Sequence, residues 1–277
     1  MSSLSSSVLL LGLMSMTSLM AASAYNNFNQ DVEIVFGKSL AKILDGGNMI
    51  KLSLDNCSGS GFRSKSKYLF GKFETHIKLV PGNSAGTVTT FYLSSHERRH
   101  DEIDFEFLGN QTGQPYLLHT NIFAKGQGGR EQQFYLCLMV DDIPIRLFNN
   151  NEAIGVPFPN SQAMTVYSTI WNADEWATEG GRVKTNWTEA PFTASYRRFY
   201  ADACIDSSGS SSRGASKSTN SLTSSTTQAW QTEELDIEAL KKLRWVQNHF
   251  MLYDYCTDLK RFSQGLPPEC KRPRFQQ

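Results

Sequence analysis

Several features are scarce or missing in this 277-residue chain. No Lys or Arg precedes Lys38, no two cysteines form a C-x-x-C pair, and neither sign of charge is in excess, with 27 Lys and Arg against 27 Asp and Glu. The even balance removes the electrostatic footprint expected of a protein that binds nucleic acid or an acidic membrane surface. Without paired or His-flanked cysteines, the usual structural metal sites are excluded and no cofactor motif is left in their place. No apolar run reaches the roughly 18–20 residues that span a bilayer. A βαβ rhythm is also absent, which argues against a parallel sheet.

The chain does begin with a shorter apolar run, Val8 to Met20, followed by Ala22-x-Ala24. A run of that length before small residues reads as a secretory signal peptide over residues 1–24, although the basic residues that usually open one are missing. In an oxidising compartment the five cysteines become interpretable. Cys256 and Cys270 bracket the turn-rich "TDLKRFSQGLPPE" and are a candidate disulfide, while Cys57, Cys137 and Cys204 leave at least one thiol unpaired. Asn110-Gln111-Thr112 and Asn186-Trp187-Thr188 are acceptor sequons for N-glycosylation, at Asn110 and Asn186.

From Val32 to about Tyr200 the signal is one of short strands. "VEIVFG", "KLSLD", "YLFGKFETHIKLV", "GTVTTFYL", "DEIDFEFLG", "REQQFYLCLMVDD", "AMTVYSTIW" and "SYRRFYADA" alternate or are β-rich, and Gly, Pro and Asn clusters separate them. The expectation is an all-β antiparallel sandwich over residues 25–206. Residues 207–229 are Ser/Thr-rich and read as a loop. Beyond them Leu240, Leu243, Val246 and Phe250 recur at helical spacing, with Thr232 a possible N-cap. Residues 230–277 therefore form a short helix-containing C-terminal extension, with an extended "MLYDYC" after the helix.

The stretch "HERRHDEIDFEF", His96 to Phe107, holds two competing signatures. His96-Glu97-Arg98-Arg99-His100 matches H-E-x-x-H, which binds zinc because a helix puts positions i and i+4 on one face. The flanks are strand-like, and on a strand those positions lie about 13 Å apart, so no metal site is expected. In the second signature Ile103, Phe105 and Phe107 point one way and Glu102, Asp104 and Glu106 the other. A solvated strand face would give such alternation, but three acids at i, i+2 and i+4 with no interleaved cation repel one another. Two carboxylates flanking a glycosidic bond, one nucleophile and one acid/base, would explain them. A retaining pair sits about 5–5.5 Å apart at the carboxyl groups, so Glu102 and Glu106 would have to lean together over Asp104. Phe91, Tyr92, Trp171 and Trp176 are candidate aromatics for a sugar cleft.

"HDEIDFEFLGN", His100 to Asn110, resembles the signature of the plant xyloglucan endotransglucosylase/hydrolases of glycoside hydrolase family 16. So do "SGSGFRSKSKYLFGKFETHIKLVPGNSAGTVTTFYLSS", "HTNIF", "GGREQQFYL", "VDDIPIR", "WNADEWATEGGRVKTNWTEAPFTASYR" and "YDYCTDLKRFSQGLPPEC". The resemblance implies a concanavalin-like β-jelly-roll whose concave face binds xyloglucan, with Glu102 as nucleophile, Glu106 as acid and then base, and Asp104 assisting. It implies substrate contacts at Trp176 and, from matching stretches, at His119, Asn121, Gln132, Gly180 and Arg261. It implies a glycan at Asn110, a monomer secreted to the cell wall and apoplast, and xyloglucan as both donor and acceptor. "WATEGGRVKTNW" lacks the extra loop of the mainly hydrolytic members, which favours transfer.

Two departures stand out. Between Leu136 and Val140 only Cys137-Leu138-Met139 remain of a longer family segment; the shortfall is roughly twenty residues, enough for an average strand, a turn and most of a second strand. Arg213 stands where a family cysteine would pair with Cys204. An internal deletion near 137–139 predicts exposed apolar surface and an unpaired edge, and with them a rival reading: a non-catalytic or inactive xyloglucan-binding variant. A secreted β-sandwich lectin would leave the clustered acids unexplained.

Overall fold

The computed structural model describes residues 27–136, 143–206 and 235–272. The expected signal peptide, the 207–229 loop, Thr232, Cys137 and the shortened 137–139 stretch lie outside the described residues. What remains is all-β apart from two α-helices and short 3-10 turns. The strands are β1 (Val32–Phe36), β2 (Ala41–Leu44), β3 (Met49–Leu54), β4 (Ser60–Lys78), β5 (Thr87–Ser94), β6 (Glu102–Leu108), β7 (Tyr116–Phe123), β8 (Gln132–Leu136), β9 (Met164–Asn172), β10 (Phe192–Ile205) and β11 (Met251–Asp254). The strand pattern in the sequence omits β2 and β7 and draws β4 too short at its N-terminal end.

Every pairing is antiparallel, in the order β11-β8-β7-β6-β5-β9-β4-β10-β3-β2, with β1 added to β4. The long β4 turns this series into two layers. Its first part lies between β1 and β9, and its second part pairs with β10. β10 and β3 thereby fold beneath β9 and β5. Tyr196 on β10, fully buried, donates its hydroxyl to the Thr90 carbonyl on β5 at 2.9 Å and meets Phe62 of β4 edge-on at 5.4 Å. Ile50, Leu52, Phe62, Val166, Ile170, Ala194 and Phe199 fill the space between the layers. The jelly-roll sandwich expected from the sequence is present.

A short helix α1 (Phe28–Asp31) precedes β1 and plugs one end with Phe28, capped by the Asn27 side chain. The C-terminal helix α2 (Ile237–His249) buries Leu243 and Val246, as its spacing predicts. Its N-cap is Asp236, which accepts from the Ala239 amide at 2.7 Å, and not Thr232. The carboxylate four positions further along wins because a cap must lie directly before the first turn. The extended stretch after the helix is β11, which pairs along β8. No described helix is long and apolar enough to cross a membrane.

Candidate active site

Register places the acids. β6 runs between β5 and β7, with Glu102 opposite Ser94 and Phe123, Asp104 opposite Tyr92 and Asn121, and Glu106 opposite Thr90 and His119. All of these share the outer, concave face, because side chains alternate along each strand. Ile103 packs into the main core, while Phe105 and Phe107 join a smaller apolar cluster behind the sheet with Leu118, Phe134, Ile143, Ile145 and Val246.

Each carboxylate has a distinct setting. Glu106 Oε2 is 2.6 Å from His119 Nδ1, a charge-assisted contact on a half-buried face. Glu102 Oε1 lies 4.0 Å from His100 Nε2. Asp104, between them, hydrogen-bonds with Glu102; burial first, then the charges of Glu102 and Glu106, push its proton affinity well above the usual carboxylate range. Three like charges in one row cannot all be ionised at low cost, so the middle one keeps a proton that it can donate to its neighbour. The Arg146 guanidinium acts in the opposite direction on Asp104. Burial pulls Arg146 itself down to about 10, which leaves it cationic at neutral pH. It donates to Thr120 Oγ1 at 2.6 Å and to the Arg130 carbonyl. Thr120 faces Phe105, so this cation lies behind the sheet.

Aromatic side chains extend the face on both sides. Tyr92 stacks on Tyr167 of β9 with centroids 5.1 Å apart. Burial, then the charge of Glu102, raises the Tyr92 hydroxyl far above its ordinary value. Trp176 stands 38% exposed beside His119, at 6.2 Å between centroids, and Trp171 at 6.1 Å. Of the four aromatics named from sequence, Phe91 is the exception: it packs into the core.

The remaining candidates scatter. Asn121 is on the concave face, its Oδ1 accepting from the Ile122 and Arg130 amides. Arg261 reaches the same end of the sheet, donating to Glu131 at 2.6 Å and to the Tyr253 hydroxyl at 3.4 Å. Gly180 is in a left-handed turn, φ 67°, in the loop after Trp176. Gln132 is not brought to the site. It pairs with Thr120, lies buried on the reverse face and reaches toward Asp254 at 3.4 Å. Its neighbour Gln133 is the residue opposite His119. A one-residue step changes the face, and a motif match alone carries no parity. Asn110 donates to the Pro115 carbonyl and Asn186 to Glu189. Cys256 and Cys270 form the expected disulfide; Cys57 and Cys204 are exposed thiols.

The H-E-x-x-H match falls in a turn. His96 has φ 55° and packs edge-on against Tyr167, while His100 packs against Phe123. Tyr167 and Phe123 are on β9 and β7, three strand steps or about 14 Å apart. No metal-binding group occurs among the described residues. Sequence reasoning passed over Arg146 and Asp101. The latter is fully buried and anchors the turn by accepting from the Lys125 amide at 2.7 Å.

A β-sandwich with two same-face glutamates astride an aspartate of raised proton affinity is an arrangement that could supply the nucleophile and acid of glycoside cleavage. Residues 28–138 and 135–189 match the model of "Glycosyl hydrolases family 16", and 224–270 match "Xyloglucan endo-transglycosylase (XET) C-terminus". The chain is 54% identical to "Probable xyloglucan endotransglucosylase/hydrolase protein 16" of Arabidopsis thaliana over 276 residues, covering 92% of this chain and 94% of that one. It is 52% identical to "Xyloglucan endotransglucosylase protein 1" of Diospyros kaki, covering 92% and 91%. Among solved structures a β-glucanase of Bacillus licheniformis aligns at 18% identity with a TM-score of 0.44, over 65% of this chain and 96% of that one. The chain belongs to glycosyl hydrolase family 16 and, within it, to the xyloglucan endotransglucosylase/hydrolases.

Proposed function

We propose that the chain is a secreted, retaining xyloglucan endotransglucosylase of the plant cell wall, working as a single chain without a cofactor. The observation that carries this reading is the β6 face, where Glu102, Asp104 and Glu106 stand in line with Glu106 held by His119. Glu102 attacks the anomeric carbon while Glu106 gives its proton to the departing glycosidic oxygen. The resulting glycosyl ester on Glu102 is resolved when Glu106 takes the proton from an acceptor hydroxyl, of a second xyloglucan chain or of water. Asp104 holds Glu102 through the shared proton. Trp176 and the Tyr92–Tyr167 stack offer ring faces to sugars. Asn121, Arg261 and the Gly180 turn line the approach, and Asn110 and Asn186 carry glycans.

The test is transfer of xyloglucan to a labelled xyloglucan oligosaccharide, with products separated with and without acceptor. Glu102→Gln should abolish transfer while the fold persists, and full transfer by that variant would end the proposal. Glu106→Gln should lose about 10²–10⁴-fold. A second reading, xyloglucan binding without turnover, draws on the family match breaking into two stretches at 135–138, where the shortened segment begins. Binding by the unaltered chain with no transfer or hydrolysis would favour that reading.

A further inference from the structure

The chain's net charge of zero conceals an uneven distribution. On the outer face of the β3/β10/β4 layer, on the side of the molecule away from Glu102, register lines up cations. Lys42 on β2 is opposite Lys51 on β3; Lys51 is opposite Ser195 on β10; Ser195 is opposite Lys78 on β4. The next row along places Arg197 opposite His76. With a strand spacing of about 4.8 Å, the lysine row crosses about 14 Å of sheet. Like charges set directly opposite one another weaken a sheet, yet none of Lys42, Lys51 or Lys78 forms an ion pair among the described residues.

Lys51, Ser195, Lys78, His76 and Arg197 from these rows line a groove of about 800 Å³, walled at one end by Val80, Pro81 and Asn83 and by Glu189 and Pro191, with Lys42 continuing the row beyond it. Of the apolar residues that line it, Met49, Val80 and Phe192 are buried, Ile77 is half-buried, and Pro81 and Pro191 are exposed at its wall. Its acids are already engaged. Glu189 accepts from the amides of Asn186 at 2.9 Å and Asn83 at 3.4 Å, and Asp45, outside the lining, pairs with Arg197 at 2.9 Å. What remains unsatisfied is the pair of ammonium groups of Lys51 and Lys78 in a shallow trough, with Lys42 extending the row past its edge.

We propose that this face is a second carbohydrate site, which holds a linear polysaccharide carrying a carboxylate on each sugar, and that it acts independently of the acid strand. Preferring a polyuronate to other polyanions rests on the cell-wall function proposed above; the charge pattern itself does not. A reaction on a neutral glucan would then take place on one face while the opposite face is tethered to an acidic polymer. Long-range attraction of this kind weakens steeply as salt screens it.

Affinity electrophoresis of the full chain in gels containing polygalacturonate tests the idea. Retardation at low ionic strength, its loss in high salt, and an at least tenfold weaker effect for the Lys51→Glu/Lys78→Glu double variant are the expected results. Lys51→Gln/Lys78→Gln should fall between, and both variants should keep the unaltered chain's rate of transfer onto xyloglucan and its unfolding midpoint. Absence of retardation, equal retardation of the double variant, or equal retardation by fully methyl-esterified polymer would overturn the site. Equal retardation by double-stranded DNA would overturn the assignment to polyuronate. Loss of xyloglucan transfer with polygalacturonate retardation intact would count against the proposed reaction and leave this site standing.

Discussion

The two halves of the sandwich are backed differently. Where β4, β9 and β5 cover β3 and β10, the layers enclose seventeen buried residues in one cluster, joined across the middle by the Tyr196–Thr90 hydrogen bond. Where β6, β7, β8 and β11 carry the acids, the cluster behind them has, among the described residues, three that are buried: Leu118, Phe134 and Val246. The rest of that backing is half-buried: Phe105 and Phe107 from the acid strand, Leu136 from β8, Ile143 and Ile145 from a segment without regular secondary structure, and Met251. The proposed chemistry is in the thinly backed half, held there by specific polar links: Arg146 to Thr120, Arg130 to Glu269, and Arg261 to Glu131.

The comparison can be broken by paired substitutions read by urea unfolding. Phe62→Ala removes a ring that is 1% exposed and in edge contact with Phe28 and Tyr196, and should cost about 3–5 kcal/mol. Cys256→Ser with Cys270→Ser opens the loop that secures Glu269 and Arg261 beside β8, and should cost about 3 kcal/mol, with transfer activity falling in step. Phe105→Ala removes only half-buried surface and leaves no closed cavity, so about 1–2 kcal/mol is expected. If Phe105→Ala cost as much as Phe62→Ala, the two halves would be equally well backed. Tyr196→Phe strips the bond between the layers and should cost about 1–2 kcal/mol, with no change in transfer.

A smaller effect concerns protons. Because Asp104 binds its proton more tightly in the folded chain than in the unfolded one, its contribution is fully present below its ordinary value of about 4 and declines as pH rises toward neutrality. The urea midpoint of the unaltered chain should therefore fall over that interval more than that of Asp104→Asn. A variant with the same slope would mean that Asp104 titrates normally.

Much of this was legible in the sequence. Alternation in "DEIDFEF" separates the acid face from the apolar face, and the structure keeps that division at every position from Glu102 to Phe107. Helical spacing located α2 because Leu243 and Val246 must meet the sheet. Legibility failed where parity was needed between strands. Gln132 and Gln133 are equivalent in a motif, but only the pairing of β7 with β8 decides which one faces His119. It failed again for Arg146, a charged residue in "IPIR" that resembles any surface arginine until Thr120 and Arg130 close over it. The lysine row was invisible for the same reason. Lys42, Lys51 and Lys78 are far apart in the chain and become neighbours only through three strand pairings.

The edge strand β11 has a consequence in time. Met251–Asp254 must pair with Gln132–Phe134, so the acid half lacks its last strand until most of the chain has been made. The half built from β1 to β5, β9 and β10 has all its strands once Ile205 has been made, before α2 and β11 exist. Domains fold during synthesis from the N-terminal side. A chain interrupted before residue 251 would hold every strand of the first half and lack the strand that closes the edge of the second.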